Sequence, residues 1–327
     1  MATETWQHRD IITNGIRMHY VIQGGGRDKS GPYIILLHGF PEFWYSWRYQ
    51  IPFFAEHGYT VVAPDLRGYN DTDKPRKGYD VPTLLRDIEG LIKGLGGGER
   101  MMSGTQWRER GAYVERSRHS DTQGESHSDA GGEKAIIVGH DWGGVLAWAF
   151  AARYPQMTER LVVMNAPHPE AMRRELRTLR QLRKSWYMFV FQIPWLPEYM
   201  LSRNRANEIG RMLRGAAVQK EAFPREVTAK YQEAMSKPGA MTAALNYYRQ
   251  LFRHRPGFTT GGKTHVSAPT LLIWGEQDIA LGIELTSGLE QWVDHIEIQR
   301  IPDSGHWVQQ EKPEQVNQLM LDFLRGQ

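Results

Sequence analysis

A carboxylate at the centre of a glycine-rich bend is the feature of this sequence with the clearest chemistry. The bend, residues 139–144, reads GHDWGG and lies between two apolar runs. This order predicts a strand, a sharp turn and a helix, with small residues around Asp141 because bulky neighbours would clash at a strained turn. Serine usually occupies the centre. Aspartate is already ionised at neutral pH and can attack carbon directly. We therefore expect displacement at a saturated carbon, followed by hydrolysis of the resulting ester.

Two further residues have the order along the chain that such a nucleophile requires, which is nucleophile, acid, base. Asp278 and His306 each come shortly after a run that predicts a strand. The carboxyl ends of strands are where α/β sheets build their sites. We predict that His306 activates water and that Asp278 orients His306. Glu276 and Asp303 are the second choices for the acid.

Backbone N–H groups must stabilise the oxygen that gains charge when the ester is hydrolysed. One is expected from Trp142, the residue after the nucleophile, and the other from Phe40, in the loop after an early strand. His38 and Pro41 are expected to shape this loop rather than to react. The bond between Phe40 and Pro41 is a candidate for the cis form.

The remaining sequence predicts the elements that position these residues. An N-terminal hairpin is expected to turn at Asn14 and Gly15. Apolar runs then predict strands at 33–37, 59–64, 135–138, 161–164, 270–274 and 295–301. Apolar residues at helical spacing predict helices at 81–95 and 314–324. Because strands alternate with helices, we expect right-handed crossovers and a mostly parallel sheet.

Two stretches break this alternation. Residues 167–266 are rich in leucine, methionine, arginine and aromatic residues at helical spacing, and they predict a helical cap inserted between two strands. Residues 96–133 are polar and aperiodic, and they predict a surface insert. We expect the core to comprise residues 1–166 and 267–327.

A basic stripe is predicted along the first part of the cap. Four apolar side chains are expected on one face of a helix, Leu176, Leu179, Leu182 and Trp186. Four cations are expected on the other, Arg173, Arg177, Arg180 and Lys184. The stripe is interpreted as a solvated helix face, with steering of an anionic substrate as the alternative.

Composition limits the function further. The 327 residues, 40% of them hydrophobic, suffice for one large domain or for a core with an inserted domain. A net charge of +3 gives no case for nucleic acid. The chain has no cysteine, which excludes disulfides, thiol nucleophiles and thiolate metal sites. The first residues are polar and no run of about 18 apolar residues occurs, so we expect a cytoplasmic protein without a membrane span.

Three motifs in combination closely resemble the epoxide hydrolases of the α/β-hydrolase superfamily. They are HGFPE at 38–42, GHDWGG at 139–144 and SGHW at 304–307. The resemblance extends from about residue 11 to residue 324, except for the polar insert, and implies an α/β-hydrolase fold with an inserted helical cap. In that family two cap tyrosines hydrogen-bond the epoxide oxygen, and Tyr187 and Tyr248 match them. A protonated tyrosine can supply the proton that an alkoxide leaving group needs.

The resemblance also implies a reaction. Asp141 would attack an epoxide carbon, and water would then release a vicinal diol from the alkyl-enzyme ester, without a metal or an organic cofactor. The partner is a small-molecule epoxide. The many apolar residues of the cap suggest an apolar epoxide, and we expect Trp142, Phe40, Trp186 and Phe191 to bind it. We expect a monomer or a homodimer.

Two other functions remain open on the sequence. A haloalkane or haloacid dehalogenase would use the same Asp141, His306 and Asp278 but needs halide donors. Related haloalkane dehalogenases often carry asparagine where Phe40 stands, and fluoroacetate-type enzymes carry arginine where Trp142 stands. A non-catalytic ligand receptor on the same fold is the alternative of another class. A serine-type esterase is disfavoured because the bend has no hydroxyl nucleophile.

Overall fold

One sheet of eight strands organises the described part of the chain. The computed structural model describes residues 5–24, 32–96, 134–253 and 264–326. The strands are β1 Gln7–Thr13, β2 Ile16–Gly24, β3 Tyr33–Leu37, β4 Thr60–Pro64, β5 Ala135–His140, β6 Thr158–Met164, β7 Thr270–Gly275 and β8 Ile296–Ile301. Their order across the sheet is β1-β2-β4-β3-β5-β6-β7-β8. Strands β3 to β8 pair in parallel, and β1 and β2 add an antiparallel edge.

Helices cover both faces of this sheet and fill the segment between β6 and β7. They are α1 Gln50–Glu56, α2 Val81–Gly96, α3 Trp142–Arg153, α4 Pro169–Glu175, α5 Leu179–Lys184, α6 Trp186–Val190, α7 Leu196–Ala216, α8 Arg225–Ser236, α9 Ala240–Arg253, α10 Val308–Glu311 and α11 Pro313–Arg325. Helix α7 is interrupted at residues 203–206, where the backbone leaves helical geometry. None of the helices in the described ranges is long and apolar enough to cross a membrane.

The buried strands explain why apolar runs marked them in the sequence. Strands β4, β5 and β7 are buried along their whole length. A parallel sheet covered on both faces requires such continuous apolar runs rather than alternation. The hairpin turns at Asn14 and Gly15, whose φ angles of 44° and 76° suit the tight two-residue turn between twisted strands. The predicted mostly parallel sheet flanked by helices is confirmed.

The structure corrects two expectations and leaves a third outside its range. Leu179 and Trp186 do not share a buried helix face, since their side chains are 73% and 62% exposed. The continuous helix predicted there is wrong, because the chain breaks after α4 and again at Ser185 between α5 and α6. The predicted polar insert lies outside the described residues, except for Gly96 at the end of α2.

Candidate active site

Asp141 lies at a strained turn between β5 and α3. Its φ and ψ angles are 50° and −120°, a conformation that non-glycine residues rarely adopt. The neighbouring glycines leave room for this turn. A Cβ atom at Gly139 would lie 2.3 Å from the carbonyl oxygen of Gly143, and one at Gly143 would lie 2.0 Å from that of Leu37. No larger side chain fits these two positions, so the turn needs both glycines to present the carboxylate.

The two oxygens of the Asp141 carboxylate have different surroundings. Oδ1 accepts a hydrogen bond from the backbone N–H of Phe40 at 2.7 Å. Oδ2 lies 3.6 Å from Nε2 of His306. Burial alone would raise the pKa of Asp141, but the imidazole of His306 and the N–H of Phe40 more than offset it and lower that pKa. The positive end of α3 also favours the anion. Asp141 is therefore held as a carboxylate, the form that a nucleophile at this turn would need.

Asp278 holds the ring of His306 in a fixed orientation. Its Oδ2 accepts hydrogen bonds from Nδ1 of His306 at 2.7 Å and from the side-chain amide of Asn165 at 2.8 Å. Its Oδ1 accepts the backbone N–H groups of Ala280 at 2.7 Å and Leu281 at 2.9 Å. With Nδ1 of His306 donating to Asp278, Nε2 of the same ring faces Asp141. The turn after β7 and the loop after β8 thus bring together the acid and the base that the sequence singled out.

Electrostatics in this group favour an imidazolium in the resting protein. Burial alone would lower the pKa of His306, but the facing carboxylates of Asp278 and Asp141 raise it well above its ordinary value. Burial would raise the pKa of Asp278, yet the partner imidazole and the surrounding donors lower it. Glu276 and Asp303, the second choices for the acid, are exposed instead. Geometry therefore favours Asp278 as the residue that orients the base.

Two tyrosines from the helices between β6 and β7 lie above Asp141. Their ring centroids are 6.0 Å apart, with Tyr187 on α6 and Tyr248 on α9. Burial, with the charge of Asp141, raises the pKa of both above the ordinary value, so both stay protonated. The hydroxyl of Tyr248 is hydrogen-bonded to the indole of Trp142. Tyr247 faces elsewhere, because its hydroxyl donates to the carbonyl of Arg67 at 2.8 Å.

A cavity of about 240 Å³ opens above these groups. Of the described residues, those that line it are Phe40, Asp141, Lys184, Trp186, Tyr187, Phe191, Met212, Ala216, Tyr248, Ile279, Ala280, His306 and Trp307. Phe40, Trp186 and Phe191, which the sequence analysis expected to bind substrate, are among these lining residues. The ring of Trp142 packs behind Tyr248, with centroids 5.1 Å apart, rather than in the cavity wall. Trp142, also expected to bind substrate, is therefore not among the described residues that line the cavity.

Three polar residues that support the site were not predicted as site residues. His140 precedes the nucleophile, and its Nε2–H donates to the carbonyl of His306 at 2.7 Å, while Nδ1 faces Oε2 of Glu42 at 2.7 Å. His140 and Glu42 both lie inside the motifs that marked the site, and that position was the signal that could have identified them. Asn165 follows β6 at the same sheet edge, which was the signal for it.

The described residues contain one group that could hold a metal, and it lies away from the cavity. Ligand atoms of His19, Asp65 and Asp71 lie within 4.8 Å of one another. His19 and Asp65 already share a 2.7 Å hydrogen bond. Asp65 also accepts from the backbone of Trp44 and the amide of Asn70. Hydrogen bonds from the protein itself therefore already satisfy the buried carboxylate of Asp65.

The sheet and the carboxylate at its strained turn define an α/β hydrolase, and the Alpha/beta hydrolase family matches residues 34–319. Epoxide hydrolase 3 of Xenopus tropicalis is 38% identical over 320 residues, which cover 95% of this chain and 76% of that protein. Epoxide hydrolase 4 of Homo sapiens is 36% identical, over 96% of this chain and 77% of that protein. An epoxide hydrolase from Bacillus megaterium, solved in complex with an inhibitor, has a TM-score of 0.79 at 30% identity and covers 97% of this chain and 100% of that one. The chain belongs to the epoxide hydrolases of this family.

Proposed function

We propose that the protein converts an apolar epoxide and water into a vicinal diol through an ester on Asp141. The arrangement around Asp141 is the observation that supports this proposal most strongly. One oxygen of the Asp141 carboxylate is held by the N–H of Phe40, while the other faces His306 at the floor of the cavity that Tyr187 and Tyr248 line. A nucleophile, a base and two proton donors thus surround one space of about 240 Å³.

In the first step, Oδ2 of Asp141 attacks an epoxide carbon and the ring C–O bond breaks. The oxygen takes a proton from Tyr187 or Tyr248, which burial keeps protonated. General-acid help of this kind is typically worth about 10²–10⁴ in rate. The tyrosinate then recovers its proton from the imidazolium of His306. The ester removes the charge of Asp141, so the pKa of His306 falls and the ring becomes a neutral base.

In the second step, His306 takes a proton from water, and the resulting hydroxide adds to the carboxyl carbon of Asp141. Negative charge develops on Oδ1, which already accepts the N–H of Phe40 at 2.7 Å. The N–H of Trp142, at the start of α3, is proposed as the second donor. Collapse of this intermediate breaks the bond from the carboxyl carbon to the substrate oxygen, which takes the proton of the added hydroxyl and leaves as the diol, so the carboxylate and the imidazolium are restored.

The same geometry supports an epoxide over a haloalkane. A dehalogenase needs N–H donors free to bind the departing halide. Here the indole of Trp142 is hydrogen-bonded to Tyr248 and packs behind it. Phenol hydroxyls above the nucleophile suit an oxygen leaving group, which must be protonated, better than a halide, which need not be. A receptor without activity would have no use for the Asp278–His306 pair at 2.7 Å.

The cavity wall points to the class of epoxide. Most of its described side chains are aromatic or aliphatic, among them Phe40, Trp186, Phe191 and Met212. Its volume of about 240 Å³ is below the roughly 300–1,000 Å³ of typical sites for drug-sized ligands. We therefore propose a small apolar epoxide, such as styrene oxide, as the substrate class.

The domain division, the assembly state and the location stay proposals made from the sequence. Residues 167–266 form the proposed cap, which contributes both tyrosines, and residues 1–166 with 267–327 form the proposed core, which contributes the other catalytic groups. A monomer or homodimer in the cytoplasm is the corresponding expectation.

Isotope labelling tests the central step. Repeated turnover of styrene oxide in H₂¹⁸O should place ¹⁸O in the carboxyl group of Asp141, since water attacks that carbon and not the epoxide. Asp141→Ala should abolish diol formation, whereas Asp303→Ala, at an exposed aspartate after the last strand, should retain it. Diol that accumulates without label in the peptide containing residue 141 would refute the ester mechanism.

A further inference from the structure

Exposed apolar side chains are concentrated on one part of the protein. Of the ten large hydrophobic residues that are exposed in the described ranges, seven lie between residues 179 and 200. We call these the cap patch: Leu179, Trp186, Phe189, Ile193, Trp195, Tyr199 and Met200. Scattered exposed apolar residues are normal, but seven in one short stretch of the chain make that stretch a candidate interaction surface.

The cap patch adjoins the mouth of the catalytic cavity. Trp186 lines that cavity although its side chain is 62% exposed. Ile279, which is 61% exposed, lines it from the turn after β7. Met212 lines both this cavity and a neighbouring hollow that Met200 lines as well. Whatever covers the cap patch will therefore lie against the entrance of the cavity.

Positive charge is concentrated in the same stretch of the chain as these apolar side chains. Residues 176–205 contain six cations, Arg177, Arg180, Arg183, Lys184, Arg203 and Arg205, and a single acid, Glu198. The acid is already paired with Arg249, with an N–O distance of 2.6 Å. Arg180 pairs with Glu284. Within the described ranges Arg177, Arg183, Arg203 and Arg205 form no ion pair, so the region carries a strong excess of positive charge.

We propose that the cap patch docks the protein on the surface of a membrane that contains anionic lipid. Tryptophan and tyrosine beside arginine and lysine are the side chains that favour the boundary between headgroups and acyl chains. A cation close to an anionic leaflet contributes about 1 kcal/mol of attraction. A second copy of the chain is a poorer occupant, because a two-fold interface would bring two equally basic faces together.

Docking in this orientation brings the mouth of the cavity to the lipid, in which apolar epoxides concentrate. This use of the surface rests on the proposed function, whereas the binding itself does not. Vesicle binding is therefore measured without substrate, and diol formation is assayed separately. If diol forms but vesicles are not bound, the docking proposal has failed. If vesicles are bound but no diol forms, the proposed function has failed.

The test is co-sedimentation of the full chain with vesicles of phosphatidylcholine, with and without phosphatidylserine. The protein should bind the vesicles that contain phosphatidylserine, and added salt should weaken this binding. Trp195→Glu, at a side chain that is 73% exposed, should lower binding at least tenfold. Ile12→Glu, at an exposed apolar residue on β1, is the matched control and should bind as the wild type does.

A second pair of variants tests the electrostatic contribution to vesicle binding. Arg177→Glu with Arg183→Glu should lower binding at least tenfold and remove most of the salt dependence. Arg76→Glu with Lys77→Glu makes the same charge change at exposed positions outside the cap patch and should have little effect. Thermal unfolding checks that each variant is folded. Equal binding by all folded variants would overturn the proposal, as would a wild type that ignores vesicles but self-associates through Trp195.

Discussion

Replacement of Gly39 by alanine tests the placement of the nucleophile most directly. A Cβ atom at Gly39 would lie 2.4 Å from both Cβ and Oδ1 of Asp141. Ordinary van der Waals contact begins near 3.4 Å, so one of the two residues must move by about 1 Å. Rotation of the Asp141 side chain cannot relieve the clash, because Cβ itself is in contact. The backbone at Asp141, with φ of 50°, is already strained.

A shift of this size breaks the arrangement on which the ester chemistry depends. The 2.7 Å hydrogen bond from the N–H of Phe40 to Oδ1 would be lost or become too long to count. Removing one oxyanion donor typically costs about 10²–10³ in kcat. The apolar walls at Trp186 and Phe191 are untouched, so KM should change much less than kcat.

The assay is steady-state diol formation from styrene oxide, with thermal unfolding as the check on folding. Gly215→Ala is the matched control, since a Cβ atom there meets nothing within 4 Å. Gly39→Ala should lose about 10²–10³ in kcat while Gly215→Ala keeps wild-type activity. A folded Gly39→Ala variant with near wild-type kcat would refute the reasoning about Asp141 and Phe40.

Three other perturbations have defined outcomes. Asn165→Ala removes a 2.8 Å donor to the buried Asp278, and ester hydrolysis should slow by about 10–100-fold in single-turnover experiments; an unchanged rate contradicts a role in holding the base. Tyr187→Phe and Tyr248→Phe should each slow ring opening at least tenfold, up to about 10²–10⁴ for the double variant; a double variant that opens the ring at the normal rate would show that other groups donate the proton. Burial lowers the pKa of His168 to about 4 from 6.5, so between these values the unfolded chain takes up a proton that the folded chain does not. The free energy of unfolding attributable to His168 should fall by about 3 kcal/mol from pH 7 to pH 4. Urea titrations of His168→Gln should lack that part of the fall, and an identical pH dependence would disprove the assignment.

The strands and the turn at Asp141 could be predicted because their causes are local. A strand buried on both faces must be apolar along its length, so its run is visible in the sequence, as at 135–138 and 270–274. The bend needs glycine at 139 and 143 because no Cβ atom fits there. The order of Asp141, Asp278 and His306 along the chain could likewise be read from the sequence. The family and the fold followed from these features.

The supporting contacts could not be read in this way, because their partners are far apart in the chain. Asn165 reaches Asp278 across 113 positions, and Glu42 reaches His140 across 98. Single polar residues of this kind have no periodicity that would identify their partners. The break between α5 and α6 was also missed, because the spacing of leucines over residues 176–186 suits one helix and tertiary packing overrides that weak preference.

The sequence by itself identified the groups that the proposed chemistry needs: a carboxylate at a tight turn, a later acid and histidine, and tyrosines in a helical segment. Tertiary structure alone decided how those groups face one another. In the fold, the indole of Trp142 packs against Tyr248 and is not part of the described cavity wall. Trp186, by contrast, lines the cavity and is also exposed. The reason is physical: turns and buried strands are specified by neighbouring residues, whereas side-chain direction and exposure depend on packing between segments distant in the chain.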